Sequence, residues 1–421
     1  MNQPNETAHV ISGDVKKVFE HLLADPYVNS GLEFIQSDND QTLADQIEIT
    51  EIPAPPFKEE VRAEYFKKRL EALGLLDARM DREGNVYGIR PGTGEGPKLF
   101  ISAHLDTVFP EGTDTSVRKE GGRYIGPGIT DDGRGLAALL SLVRAFHFAN
   151  IQTKGDILFG AVVGEEGLGD LRGIKAIFRE RHDIDGFISI EPGKPSRTIY
   201  LATGSRRYRF TYKGPGGHSY GAFGIPSAIH ALGRAIAKIS DLCPPEIPKT
   251  TFTVGTINGG TSVNTIAAEA IMLIDLRSTS PEELLKIEEQ VFAIVKDAAV
   301  EENTRWKSDA IQVDIAIVGD RPAGSQPSEA IIVQAALAST EALGFEPLLS
   351  QPSSTDANVP ISLGIPAVTL GGGGSNGGAH TLDEWFDPTD AHYGVQRIFL
   401  TMLGLVGVDN ATEPLLQRNG R

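Results

Sequence analysis

Residues 98–109, KLFISAHLDTVF, carry an apolar run straight into His104 and Asp106, and a strand that ends in such side chains sets the fold. Short apolar runs bounded by Gly, Pro or Asp recur at 85–90 (NVYGIR), 156–164 (DILFGAVVG), 185–190 (DGFISI) and 198–203 (TIYLAT). Residues 133–149 and 171–181 place apolar side chains at helical spacing, so strand and helix alternate as in an α/β sheet. The same spacing marks helices at 14–24 and 58–73, separated by the rigid connector IPAPPF.

Outward from that core the cycle changes at about residue 204. A strand (206–214), a helix (227–239), two strands (250–257 and 269–277), a long helix (281–299) and a strand (310–318) read as an α+β domain of their own. Alternation then returns with a helix near 327–343, a strand in IPAVTLGGG (365–373) and a closing helix near 388–406. This order predicts a first domain in two pieces, 1–203 and 319–421, with 204–318 inserted, and a tail from 409 that frays.

The 421 residues suffice for two or three domains with proper cores. Lys and Arg number 39 against 56 Asp and Glu, a net charge of −17 that disfavours nucleic acid and anionic membrane as partners. No stretch approaches a membrane span, and the first residues lack the order of a secretory leader. Cys243 is the only cysteine, which excludes an intrachain disulfide and a thiolate zinc cluster and fits a reducing compartment, the cytoplasm.

In open α/β sheets the reactive groups gather at the carboxyl ends of strands, and five such places carry carboxylates or histidines here. His104 and Asp106 are two apart and point to one side of an extended chain, as a metal-binding imidazole and the carboxylate that accepts its other N–H would. Taken alone, a His-x-Asp is more often a surface pair. IGPGITDDGRG (125–135) sets Asp131 and Asp132 before a helix, where one can bridge cations while its neighbour caps; capping alone is the plainer reading. Glu165 and Glu166 end a strand side by side and repel unless something positive neutralises them. One would ligate metal and the other would act as general base; a solvated acidic turn is the bland alternative. Glu191 ends FISIE, and His380 follows a glycine-rich run. His9, His21, His147, His182, His230 and His392 sit in contexts that offer no ligand set. Charge balance favours two Zn²⁺ set against Asp131, Glu166, Glu191 and one hydroxide, with neutral His104 and His380 completing the set.

These five pieces, in this order, resemble the dinuclear zinc exopeptidases that include peptidase T, glutamate carboxypeptidase and acetylornithine deacetylase. The likeness runs from EIPAPPFKEE (51–60) to HTLDEWFDP (380–388). It implies an α/β catalytic domain with a mixed central sheet flanked by helices, plus an inserted α+β lid and dimerisation domain. By position, it implies that His104 and Glu191 hold one zinc, Glu166 and His380 the other, and Asp131 bridges them, with Co²⁺ or Mn²⁺ as substitutes. It assigns Asp106 to orienting His104 and Glu165 to general base, and implies a cis bond from Asp131 to Asp132. GPGGHSYG (214–221), GGTSVNTIA (259–267) and IDLRS (274–278) resemble segments in which His218 would polarise the substrate carbonyl while Asn264 and Arg277 hold its backbone and terminal carboxylate. A cap for His218, a turn for Asn264 and an acidic neighbour for Arg277 are the structural alternatives.

Two departures stand out. Gly133 and Arg134 occupy places where relatives often carry Lys and Gly, and Glu191 matches the carboxypeptidase and deacylase branch, whereas STDANVPISLGIPAVTLGGGG (354–374) resembles peptidase T. The implied activity is hydrolysis of an amide bond in short peptides, tripeptidase- or aminopeptidase-like, by a homodimer joined through the inserted domain. A carboxypeptidase or N-acyl-amino-acid deacylase stays open beside it, as does a non-catalytic peptide or amino-acid binder that kept the fold.

Overall fold

The computed structural model describes residues 10–418 apart from Glu95, so His9 and the last three residues of the tail lie outside the described residues. The chain divides into two compact units, Met1–Leu201 with Gln326–Arg421, and Ala202–Ser325.

In the first unit, strands β1 (Leu76–Met80), β2 (Val86–Arg90), β3 (Lys98–His104), β4 (Asp156–Val162), β5 (Gly186–Glu191), β6 (Arg197–Ile199), β7 (Leu348–Leu349) and β8 (Ala367–Gly371) form one mixed sheet. Their order across it is β1-β2-β4-β3-β5-β8-β6-β7. The central four, β4, β3, β5 and β8, run parallel; β1 and β2 are antiparallel to their neighbours, and β6 is antiparallel to β8 but parallel to β7. Strands β3 and β4 are buried on both faces, which is why their sequences are continuous apolar runs instead of alternating ones. Parallel running also brings the carboxyl ends of β3, β4, β5 and β8 to one edge of the sheet.

Helices α1 (Gly133–Phe148) and α2 (His392–Val406) are buried along most of their length. Phe146 of α1 packs on Phe159 of β4 and Phe399 of α2, with ring centroids 6.3 and 4.9 Å apart. The helices at Pro26–Ser37 and Asn39–Thr50 are not foreseen from the sequence, and the second shows why. Its buried face carries Thr42, Asp45, Gln46 and Thr50 beside Leu43 and Ile49, so the apolar period is broken by polar groups that find partners inside. Asp45, for example, receives Arg69 and Arg144 at 2.7 Å each. The tail does not fray over its described part: Leu416 is buried, and the Leu415 and Leu416 N–H groups donate to Gly404 and Leu405 of α2.

The second unit is a four-stranded antiparallel sheet ordered 250–259, 269–278, 204–213, 312–321. Helices Ala228–Ser240 and Pro281–Trp306 share one core with it, in which Phe210, Tyr212, Met272 and Leu276 meet Ala231, Val291 and Val295. No helix among the described residues is long and apolar enough to cross a membrane.

Truncating Phe146 to Ala removes a fully buried ring from the junction of sheet and two helices. The expected loss is about 3–5 kcal/mol, read as a lower urea midpoint at unchanged slope. A loss near zero would mean that the three rings do not share a packed core.

Candidate functional site

Four chain segments converge at the carboxyl edge of the first unit's sheet. His104 ends β3, Asp131 sits in the loop before α1, Glu166 follows β4, and His380 lies beyond the glycine run after β8. His104 Nε2 is 2.9 Å from Asp131 Oδ1, and His380 Nε2 is 3.2 Å from Asp131 Oδ2 and 3.0 Å from Glu166 Oε1. One ligand atom from each of His104, Asp131 and Glu166 lies within 4.8 Å of the other two, so the group could hold a metal ion. Glu191 ends β5, and its buried Oε1 has no hydrogen-bond partner. The peptide bond from Asp131 to Asp132 is cis, as the resemblance implies, and His380 has a left-handed backbone with φ 64°.

The electrostatics describe a place that wants positive charge. Burial pushes the Glu191 carboxyl well above its ordinary range; the charge of His104 pulls it down, while those of Glu165, Asp132 and Asp131 raise it further. Glu166 is raised by burial and by Asp131. Burial alone would lower His104, yet its hydrogen bond to Asp131 and the charges of Asp132, Asp131 and Glu191 hold it well above normal. His380 is raised to about 9, chiefly by its bond to Asp131. Protons on two imidazoles therefore stand in for cations, and divalent ions would neutralise the same carboxylates more completely. The donor set, two imidazoles and three carboxylates with an orphaned oxygen among them, fits divalent metal ions.

A surrounding set of groups holds these segments in place. Asp132 caps α1 by accepting the Gly135 N–H at 3.0 Å and also takes the His104 backbone N–H at 3.1 Å. The Asp106 carboxylate does not accept the second imidazole N–H of His104: Nδ1 meets the Asp106 backbone carbonyl at 2.8 Å, with the carboxylate at 3.8 Å. The reason lies in the adjacent turn, whose Glu165 and Glu166 N–H groups donate to that carboxylate at 3.1 and 2.8 Å. Asp106 thus acts on both neighbours, His104 through its carbonyl and the Glu165–Glu166 turn through its side chain. Gly133 is needed for space, because a Cβ there would meet Thr50 Oγ1 at 2.5 Å and the Gly128 carbonyl at 2.8 Å. Arg134 is buried and donates to the Gly372 and Ala391 carbonyls at 2.8 Å each, joining the start of α1 to the glycine run.

Glu384 is the residue that sequence reading missed. Fully buried, it accepts from the Gly128, Thr130 and Asp131 N–H groups at 3.2, 2.7 and 3.0 Å and from the Thr130 hydroxyl at 2.6 Å. A small sheet reinforces the link by pairing Tyr124 with Phe386 and Ile125 with Trp385. In sequence Glu384 sits beside Asp383, and nothing separates the exposed acid from the buried one.

In the second unit, His218 and Asn264 are brought together. Gly217–His218 pairs with Thr265–Ile266, and the Ser219 N–H donates to the Asn264 carbonyl at 2.9 Å. His218 Nδ1 accepts the Tyr220 and Gly221 N–H groups at 3.2 Å each, which leaves the proton of the neutral ring on Nε2, facing outward. Arg277 is not with them. It pairs with Ser205 at the end of the sheet opposite Lys213 and Glu269, roughly 26 Å along the strand from Glu269, and its Nε donates to Asp275 Oδ2 at 2.6 Å. Of the histidines without an assigned role, His21, His147, His182 and His230 are exposed, and His392 is buried at the start of α2.

Comparison with known proteins adds three relatives and a family. A family model described as peptidase family M20/M25/M40 matches residues 100–403. The uncharacterized protein YqjE of Bacillus subtilis is 26% identical over 364 residues, covering 82% of this chain and 93% of its own. A succinyl-diaminopimelate desuccinylase of Leptothrix cholodnii is 26% identical over 266 residues, 56% of this chain and 69% of its own. The structure of a tripeptidase from Staphylococcus aureus superposes with a TM-score of 0.72 at 23% identity, covering 86% of this chain and 97% of that one.

Two outcomes follow from the geometry. Glu384→Gln replaces an all-acceptor carboxylate with an amide that opposes one of its donors, so zinc affinity measured against a competing chelator should fall about 10- to 100-fold. Unchanged affinity would mean that the Asp131 loop is held without Glu384. In the metal-free protein His380 keeps its proton up to about 9, so its contribution to stability is full below the unfolded value near 6.5 and is lost as pH rises through about 9. Zinc takes only the neutral ring, so zinc uptake near neutral pH should release protons, measurable by calorimetry in buffers of different ionisation enthalpy. No dependence on buffer would contradict it.

Proposed function

The chain belongs to peptidase family M20/M25/M40, and from that membership and the cluster at the edge of its sheet we propose that it hydrolyses an amide bond of short peptides with two zinc ions. The convergence of His104, Asp131, Glu166 and His380 from four separated segments onto one point carries this reading.

In the proposed arrangement His104 and Glu191 would hold one zinc and Glu166 and His380 the other, with Asp131 serving both. The orphaned oxygen of Glu191 and the short distances from both imidazoles to Asp131 support that division. When bound, the two ions supply the Lewis acidity that lowers the pKa of a water and polarises the scissile carbonyl.

The chain's own residues do the rest. Asp106 fixes the backbone of the Glu165–Glu166 turn, so one carboxylate is aimed at metal while its neighbour stays available as a base. Glu165 takes one proton from the attacking water and returns it to the amide nitrogen as the C–N bond breaks, leaving a carboxylic acid and an amine. His218 presents an Nε2–H as its only donor and would stabilise the carbonyl oxygen as negative charge develops there. Asn264 would bind the substrate backbone next to it. Arg277 would hold the terminal carboxylate by exchanging its bond to Asp275; because it lies farther along the strand from His218 and Asn264 than a short peptide spans, those two would act on substrate held by the other copy in the homodimer. The proposal includes a homodimer formed through the second unit and a cytoplasmic location, which the exposed free thiol of Cys243 supports.

Glu165→Ala should retain both metal ions by elemental analysis while turnover drops about 100- to 10,000-fold. Undiminished turnover would remove Glu165 from the mechanism. A panel of free, N-acylated and C-amidated tripeptides with the zinc-loaded enzyme should show cleavage of free peptides. Release of product from N-acyl amino acids alone would move the substrate class to that of a deacylase.

A further inference from the structure

Beside the cluster, in the first unit, lies a cavity of about 590 Å³ whose walls no role described so far has used. One wall is the segment after Glu191, carrying Lys194, Ser196 and Arg197; another is the end of the glycine run, carrying Ser375 and Asn376; Ser350 closes a third side. The walls are laced to the site itself, since the Gly372 N–H donates to the Glu191 carbonyl and the Gly373 N–H to the Gly193 carbonyl, both at 2.9 Å. At no more than ~3.6 Å per residue, Gly193 is within about 7 Å of Glu191 and Asn376 within about 15 Å of His380, the span of a short peptide.

The chemistry of the cavity is opposite to that of the molecule. The chain carries a net charge of −17, yet no carboxylate lines this cavity and two cationic side chains do. Arg197 spends one N–H on the Pro192 carbonyl at 3.0 Å, which fixes its direction, and has no ion-pair partner among the described residues. Lys194 is exposed and likewise has none. Hydroxyl and amide groups of Ser196, Ser350, Ser375 and Asn376 add neutral donors around them. Arg197 is half-buried without an ion pair, which costs free energy unless an anion meets it, and its planar guanidinium with the exposed Lys194 ammonium on the same wall suits a carboxylate.

Resting on the peptidase reading above, we infer that this cavity binds a carboxylate of the substrate, placed within a residue or two of the scissile bond, and so selects anionic short peptides. The carboxylate is either an acidic side chain, with the terminal one left to Arg277, or the free C-terminus itself, in which case Arg277 keeps its bond to Asp275; the chemistry is shared and the sources are two.

The test uses zinc-loaded full-length protein and two peptide pairs, Ala-Ala-Ala against its C-terminal amide, and Ala-Ala-Glu against Ala-Ala-Gln. In the wild type, kcat/KM should favour the carboxylate member of at least one pair by about tenfold or more, and that pair names the source. K194Q/R197Q should bring the ratio close to one, K194R/R197K should keep most of it, and K194Q alone should lower it measurably if the double variant does not fold. A ratio near one in the wild type for both pairs, or a ratio that survives K194Q/R197Q, overturns the inference. Cleavage of none of the four peptides overturns the peptidase reading instead, and calorimetry with the same peptides then decides the cavity. Tighter binding of the carboxylate member that disappears in K194Q/R197Q sustains it, and equal affinities overturn it.

Discussion

Carboxylates crowded into a buried edge must be neutralised or they drive the structure apart, and this constraint governs the first unit. Asp131, Glu166 and Glu191 meet where solvent is largely excluded, and the His104 and His380 imidazoles answer them with positive charge. The fold tolerates that concentration because each acid arrives from a different strand end or loop, fixed by backbone contacts that its own charge does not weaken. The site is a set of rigid arms aimed at one point, and the parallel core of the sheet supplies the aim.

A second tier of acids makes the aim accurate. Asp106, Asp132 and Glu384 spend their oxygens on backbone N–H groups of the segments that carry Glu165, Glu166, His104 and Asp131. Charged acceptors on backbone donors are short and directional, so each fixes a loop more firmly than packing alone would. Arg134 extends the same principle with the opposite sign, its guanidinium bonded to two carbonyls on the far side of the site.

The sequence discloses most of what lies at strand ends and little of what lies beneath. His104, Asp131 and Glu166 are legible because each follows an apolar run or precedes a helix, and His380 because it closes a glycine-rich run; together they form a donor set that suits metal. The fold class is legible for the same reason, since the buried strands are unbroken apolar runs. Glu384 is not, because its function depends on facing three backbone N–H groups some 250 residues away in the chain, as the separations of 253 to 256 positions record. The Asn39–Thr50 helix escapes notice because its buried face is half polar, and burial of Asp45 becomes affordable only beside Arg69 and Arg144. The partner of the His104 ring could not be read either: two residues' spacing allows a carboxylate or a carbonyl equally, and only the neighbouring turn decides.

Strand β8 lies between β5 and β6, which precede it by well over a hundred residues. As the ribosome delivers the chain from its N-terminus, the central sheet therefore stands with a slot open in its middle until residues 367–371 emerge, and the Asp131 loop waits longer still for Glu384. A chain cut short before residue 367 presents an apolar gap and a half-built cage of acids, the kind of exposed surface on which misassembly starts.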